Sequence, residues 1–434
     1  LDPTNGEGRP MLAEDERKQG TAAVYRDLDG KVYGQAVQGE GEDWWELYRG
    51  EARKIGAHDP ANAKPIIAGS QGLYHREFPN GERLVECDLV NRELTVEDPA
   101  TGETRCLDFD YESEGAHLMG VCAAPDGTAC GGTAFPMHFF SYNPTTDEWI
   151  NRPALSQWNT VTALGDRFFV GGYGHGILLE WNPAGEWVPT ERDDPSCNPR
   201  FLAECPPTIN RPFDLLAHPD GKLVVLAGGP GYGYTGGGLM FWDRESETAT
   251  VIEHTEIIPD HATMSMLPLP DGELLCGTTT APGTGGEQKA TEACMYIMDI
   301  ASKRIEWQET LFPGAQGYTD MIEAPGGLVY GVVDNERFFV FDPVKREIVH
   351  ERDLEAEFGK TNGQQGPRVF VRTPDGRTWM LMQRGIAVID DATFAISIVA
   401  ESPLPIGPGG DYLDGRIYFA AGSHLYSWEV PAEE

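Results

Sequence analysis

The 434-residue sequence predicts an all-β fold, a single β-propeller built from four-stranded antiparallel blades. Three observations carry this. A tight-turn signal recurs along the chain between pairs of strand-like runs. Each pair is followed by an aromatic or aliphatic strand ending in Asp or Asn. No convincing amphipathic helix separates these units.

The turns are mostly Asp-Gly or Asn-Gly, whose residues accept the positive φ of a two-residue hairpin. They stand in RDLDGKVYGQA, EFPNGERLVEC, AAPDGTACGGT, TALGDRFFVGG, AHPDGKLVVLAGG, PLPDGELLCGTT, EAPGGLVYGVV, RTPDGRTWMLM and DYLDGRIYFAA, nine hairpins in all. The third strands read FFSYNP, LLEWNP, LMFWDR, MYIMDI, FFVFDP and IAVIDD, and a weaker fourth follows, as in KRIEWQE. A sandwich does not repeat a four-strand unit at this regularity. Nine hairpins imply eight blades with one terminal hairpin closing or capping the ring, and seven to nine remain compatible. The expected organisation is a polar extension over 1–19, the propeller over 20–430 and a short tail over 431–434.

Composition narrows the partners. There is no run of eighteen apolar residues, and so no expected membrane span. The balance of 33 basic to 69 acidic residues, a formal charge of −36, repels nucleic acid and anionic membranes and favours a soluble monomer. The first residues carry no signal peptide, but a mature end left by processing fits them, and a secreted or periplasmic location is expected. The eight cysteines show no CxxC spacing. Cys122 with Cys130, and Cys197 with Cys205, suit disulfides, while buried thiols are the simpler reading.

Propeller topology sorts the loops between two faces. With strands a to d running from the axis outward, a–b and c–d turns share one face, and b–c loops and d-to-a connections share the other. The b–c loops vary most, which is where function concentrates on a rigid scaffold. GGPGYGYTGGG, residues 228–238, is one of them. It looks like a phosphate loop, but strand rather than helix follows it, so its glycines instead shape a funnel and project Tyr232 and Tyr234.

The same face collects His138 and His175 on b–c loops, and His117 and His261 on d–a connections. Trp158, Asn159, Arg211, Tyr318 and Arg368 join them from d–a connections, and Tyr173 and Lys289 from b–c loops. Removal of the proton at C5 of a uronate needs Arg or cationic His to neutralise the carboxylate. A His or Tyr then serves as base and another as acid. Catalytic roles are therefore expected for His138, His175, Tyr234 and Arg211. Tyr173, Tyr232, His117, His261, Lys289, Tyr318, Arg368, Trp158 and Asn159 are expected to bind substrate. No cofactor is required, and an auxiliary divalent metal is compatible.

The stretches DGTACGGTAFPMHFFSYNP and GGYGHGILLEWNP, with the Gly-Tyr loop, resemble the propeller-fold polysaccharide lyases, including the ulvan and rhamnose–glucuronate lyases. The resemblance implies β-elimination of an anionic, uronate-containing glycan, with His138, His175, Tyr173 or Tyr234, and Arg211 at the matching positions. Two other classes compete. A propeller hydrolase needs a carboxylate pair, for which Glu287, Asp260 and Asp320 are available, and a lactonase needs a metal cage. A non-catalytic propeller binding glycan or protein would instead present an exposed apolar patch on its loops.

Overall fold

At the PDG turns the backbone takes the left-handed conformation that the sequence requires. Gly127, Gly221, Gly272 and Gly376 lie at φ between +74° and +91°, where a side chain would strain the turn. A computed structural model describes residues 4, 24–26, 31–38, 41–56, 64–65, 80–88, 91–110, 115–363, 366 and 368–432. The chain divides into two compact units, Leu1–Ser113 and Glu114–Glu434. Histidines 58 and 75 lie outside the described residues.

The described residues form nine antiparallel sheets; eight contain an expected hairpin, and of EFPNGERLVEC only the strand after the turn is described. Two belong to the first unit. One has five strands, in the order Glu51–Gly56, Gly41–Tyr48, Val32–Gln38, Val24–Arg26, Lys64–Pro65; the other has three, Arg83–Asp88, Glu93–Asp98 and Glu103–Asp108, with a small core of Leu94, Val96 and Phe109.

The second unit is the propeller. Blade 1 comprises Leu118–Ala123, Ala129–Thr133, His138–Asn143 and Glu148–Pro153; blade 2 comprises Gln157–Leu164, Arg167–Tyr173, Ile177–Trp181 and Arg200–Ala203. Blade 3 runs Arg211–Ala217, Leu223–Gly229, Gly238–Asp243 and Thr248–Glu253, and blade 4 runs Ala262–Pro268, Glu273–Thr279, Met295–Asp299 and Arg304–Glu309. Blade 5 is Tyr318–Ala324, Leu328–Val333, Arg337–Asp342 and Glu347–Asp353; blade 6 is Phe370–Arg372, Thr378–Met382, Gly385–Ile389 and Ile396–Glu401. Blade 7 has three strands, Asp411–Leu413, Arg416–Ala421 and His424–Glu429. Helix is confined among the described residues to single turns such as Glu355–Phe358.

Seven blades close the ring, the lower end of the expected range. Blade 7 meets blade 1 through Asp411, whose Oδ2 accepts the Ala123 amide at 2.8 Å and the Cys122 thiol at 3.2 Å. The Leu118 amide donates to the Gly422 carbonyl at 3.0 Å, and Val121 and Phe140 pack with Tyr418 and Ala420. The sheets formed by the first two of the expected repeats belong to the first compact unit, Leu1–Ser113.

Between blades the core is a succession of apolar layers, and inner strands join them through a repeated β-bulge. The register shifts at Trp158/Thr160, Pro212/Asp214, Thr263/Ser265 and Tyr318/Asp320, in blades 2 to 5. Each bulge re-aims a side chain toward the neighbouring blade. Trp158 lands on Gly132 of blade 1 and Tyr318 on Gly277 of blade 4, where any Cβ would overlap the ring's own Cβ. Gly132 and Gly277 are therefore packing glycines, making room for the next blade's aromatic residue.

All eight cysteines are free, six of them buried, so neither suggested disulfide forms. Cys122 and Cys130 face each other across paired strands, but burial holds both thiols protonated, with pKa values well above the usual thiol value.

Candidate functional site

The centre of the ring is occupied by the chain itself. The connection from blade 5 to blade 6 brings Gly366 beside Thr160 of blade 2, with its carbonyl accepting the Val161 amide at 3.2 Å. Two residues on, the guanidinium of Arg368 donates to the Thr319 carbonyl of blade 5 at 2.9 Å and to the Phe213 carbonyl of blade 3. A segment that touches blades 2, 3 and 5 while leading into blade 6 crosses the axis. Arg368 is 1% exposed.

Arg368 also faces two carboxylates, Asp214 and Asp320. Each belongs to a recurring staple in which an Asp on the inner strand accepts a backbone amide of the next blade. Asp214 takes Met266 at 2.7 Å, Asp320 takes Val369 at 2.9 Å, and Asp411 takes Ala123 at 2.8 Å, so blades 3, 5 and 7 each hold their successor. Burial pushes Asp214 up to about 6 despite the attraction of Arg368, and raises Asp320 and Asp411 as well. These residues left a sequence signal, an acid within apolar inner strands (PFDLL, YTDMI, GDYLD), of which only Asp320 was singled out, and for another purpose.

These facts correct four expected ligand contacts. Trp158, Asn159, Tyr318 and Arg368 are at most 1% exposed and fill the core, because the bulges and the axial crossing turn them inward rather than into a funnel. Asp320, stapled to blade 6, is likewise no partner for a hydrolytic carboxylate pair. Glu287 and Asp260 have no contact placing them against it.

The expected histidine pair is also apart. His138 opens the third strand of blade 1, with its Nδ1 2.6 Å from the Asn151 side-chain oxygen on the outermost strand. His175 lies in the b–c turn of blade 2 at φ +86°. Its amide is held by Asn210, and its 58% exposed ring lies 3.5 Å from Glu204. The positions are not equivalent, and the described contacts do not join them. His261 is bound into backbone, its two ring nitrogens 2.7 and 2.8 Å from the Pro259 and Glu292 carbonyls. His117 and Lys289 are exposed. Among the described residues no three His, Cys, Asp or Glu side chains are grouped to hold a metal.

Three expected residues do come together. The hydroxyls of Tyr173 and Tyr232 share a hydrogen bond, and the Arg211 guanidinium stands 5.4 Å from the Tyr173 ring centroid. The loops that carry them are stiff. Gly233 donates to the Thr284 carbonyl, Gly283 donates back to the Tyr234 carbonyl, and the Thr235 hydroxyl donates to the Glu287 carbonyl. Glycine at 283 and 286 is needed because a Cβ would overlap the Gly231 and Tyr234 carbonyls. The Gly-rich stretch is therefore one half of a two-loop clasp between blades 3 and 4, presenting Tyr232 and Tyr234 outward. Phe135 on the b–c loop of blade 1 is a third exposed ring on this loop face, which we call its aromatic ledge, with exposures of 70% at Phe135, 61% at Tyr232 and 55% at Tyr234.

The hydrogen bond shared with Tyr173 raises the Tyr232 pKa. Tyr173→Phe is accordingly expected to bring Tyr232 ionisation down toward the ordinary phenol range. Phenolate absorbance across an alkaline titration, compared with Tyr173→Phe/Tyr232→Phe, would isolate the shift; an unmoved midpoint would show that the hydrogen bond does not form.

A second electrostatic feature lies on blade 4, where burial, then Glu306, raise Glu273 to about 7 from an ordinary 4.5. A carboxyl whose folded pKa exceeds its unfolded value binds more protons when folded, so stability falls as pH rises between the two. Urea midpoints are expected to fall from about pH 5 to about pH 7, through the windows of Glu273 and Asp214. Glu273→Gln should flatten that slope, and an unchanged slope would remove Glu273 from it.

The fold and face define a class, a seven-bladed β-propeller with a plugged axis and an aromatic loop face. Solved structures agree on the fold. The chain is similar to the β-propeller domain of Cps50 (Swd1) from Myceliophteria thermophila, with TM-score 0.53, 12% identity and coverage of 74% of this chain and 99% of that one. It is similar also to the WD40 β-propeller domain of Doa1, with TM-score 0.51, 9% identity and coverage of 73% and 93%. No family model and no curated protein matches the sequence. Of the resemblance to polysaccharide lyases, these neighbours support the propeller fold.

Proposed function

We propose that this chain is a non-catalytic binding propeller that holds a polysaccharide across the b–c loops of blades 1 to 3. The carrying observation is the aromatic ledge of Phe135, Tyr232 and Tyr234 on one loop face. Large rings left in water on the b–c loops of blades 1 and 3 mark a surface that another molecule covers. Their flat faces suit the C–H faces of sugar rings, the phenol hydroxyls add polar contacts, and Arg211 supplies a cation for an acidic sugar. The two-loop clasp fixes the tyrosines beforehand, which reduces the ordering cost of binding. The described contacts hold His138 to Asn151 and His175 to Asn210 and Glu204, and do not bring the two histidines together.

Affinity electrophoresis in gels containing uronate or neutral polysaccharides tests this, with the same mixtures assayed for the absorbance of unsaturated product. Retardation without product is expected, and Phe135→Ala or Tyr232→Ala should each weaken it about tenfold, the worth of one stacked ring. One observation favours lyase chemistry as a second reading: the Tyr173–Tyr232 phenol pair beside Arg211 offers a proton-transfer group next to a carboxylate neutraliser. On that reading unsaturated product forms and Tyr232→Phe abolishes it while retardation remains.

A further inference from the structure

On the face opposite the b–c loops, a cavity of about 350 Å³ lies between the outer strands of blade 1 and the c–d connection of blade 2. Its floor is aromatic: Phe139 stacks on Trp187 with centroids 4.7 Å apart, and Trp181 meets Phe139 edge-on at 4.9 Å. Three carboxylates, Asp126, Glu148 and Glu186, stand around it against one cation, Arg152. Among the described residues the side chains of Glu148 and Glu186 are in no ion pair, and the Ser141 hydroxyl, on a residue 4% exposed and lining the cavity, has no hydrogen-bond partner.

The chemistry of that lining selects a cation. A guanidinium is already seated there, since Arg152 lies 5.2 Å from the Trp187 ring centroid with no carboxylate paired to it. Ring faces and unpaired carboxylates in one recess attract a second positive group, and the surrounding charge of −36 steers it in. The recess also continues. It shares Gly185 and Glu186 with a second depression of about 510 Å³ that runs on past Val188 and Asn198. One amine would leave most of that length unfilled, whereas an extended chain would use it.

We propose that this cleft receives an arginine or lysine side chain on an extended basic segment of a partner protein. The site is remote from the aromatic ledge and does not depend on the polysaccharide reading. The incoming cation lies against the tryptophan wall, pairs with Glu148 and Glu186, and gives the Ser141 hydroxyl a neighbour.

The test is a titration, by tryptophan fluorescence and calorimetry, with a Gly/Ser-spaced peptide carrying arginines. Parallel titrations use the same peptide with citrulline at those positions, and spermidine. Citrulline keeps the shape and loses the charge, and is expected to bind about tenfold more weakly or worse. Glu148→Gln/Glu186→Gln should lose about tenfold for the arginine peptide, while Glu309→Gln/Glu351→Gln, the same charge removed from exposed sites on blades 4 and 5, stays within about twofold. Equal losses from both double variants would reduce the effect to net charge and overturn the proposal. So would citrulline binding as tightly as arginine, spermidine matching the peptide, or no saturable binding.

Discussion

Arg368→Met is expected to destabilise the ring by about 3–5 kcal/mol, the cost of breaking a buried charge cluster by removing one partner. The arginine holds carbonyls of blades 3 and 5 while facing Asp214 and Asp320, and it is almost fully buried. Methionine fills much of the volume but leaves two carboxylates facing each other with no cation. Their pKa values then climb further, so the deficit should shrink as pH is lowered toward about 5 and the acids take up protons. Arg368→Lys keeps the charge but cannot span two carbonyls with a planar fork, and should fall between wild type and Met. Urea denaturation of the three proteins at two pH values decides the matter. A loss below about 1 kcal/mol, or one independent of pH, would mean the arginine fills space and nothing more.

Gly132→Ala should cost about 1–3 kcal/mol or more, although the added group is one methyl. The new Cβ would fall on the Trp158 Cβ and near its backbone nitrogen. Trp158 has nowhere to retreat, being fully buried with Phe139 at 4.9 Å and Phe168 and Trp187 beyond. Relief must come from separating blades 1 and 2, which loosens the layer they share. The urea midpoint, with near-ultraviolet circular dichroism reporting the tryptophan environment, would show this. A variant with wild-type stability would mean the blades slide apart at no cost.

The hairpins were legible because their turns are local: Asp-Gly and Asn-Gly state their geometry within two residues. Eight of the nine appear as paired strands among the described residues, and the propeller follows from their regularity. How many of them close the ring was not legible, because closure depends on which first and last strands meet, as Asp411 and Ala123 do. Gly132 and Gly277 accommodate an aromatic side chain from the neighbouring blade, which is absent from their own local sequence. For the same reason Trp158 and Tyr318 read as loop-face residues, since a one-residue bulge reverses where a side chain points. The sequence around Gly366 and Arg368 carries no local sign that these two residues reach blades 2, 3 and 5. Tyr173, Arg211 and Tyr232 were correctly placed on one face because blade topology alone brings their loops together.

The junction between the last blade and the first has a kinetic meaning. Asp411 and Ala123 are 288 residues apart, whereas the equivalent staple from Asp214 to Met266 spans 52. By the (3/2)RT ln n relation, closing the longer loop costs about 1.5 kcal/mol more chain entropy. Blades that follow one another can zip up in sequence, but this junction forms only when the whole circle has been drawn. It is therefore the last contact made in folding and the first released in a native-state fluctuation. Deuterium should enter the amides of Leu118 and Ala123 well before that of Met266, with the circle breathing like a split ring at one gap while the other six joints stay shut.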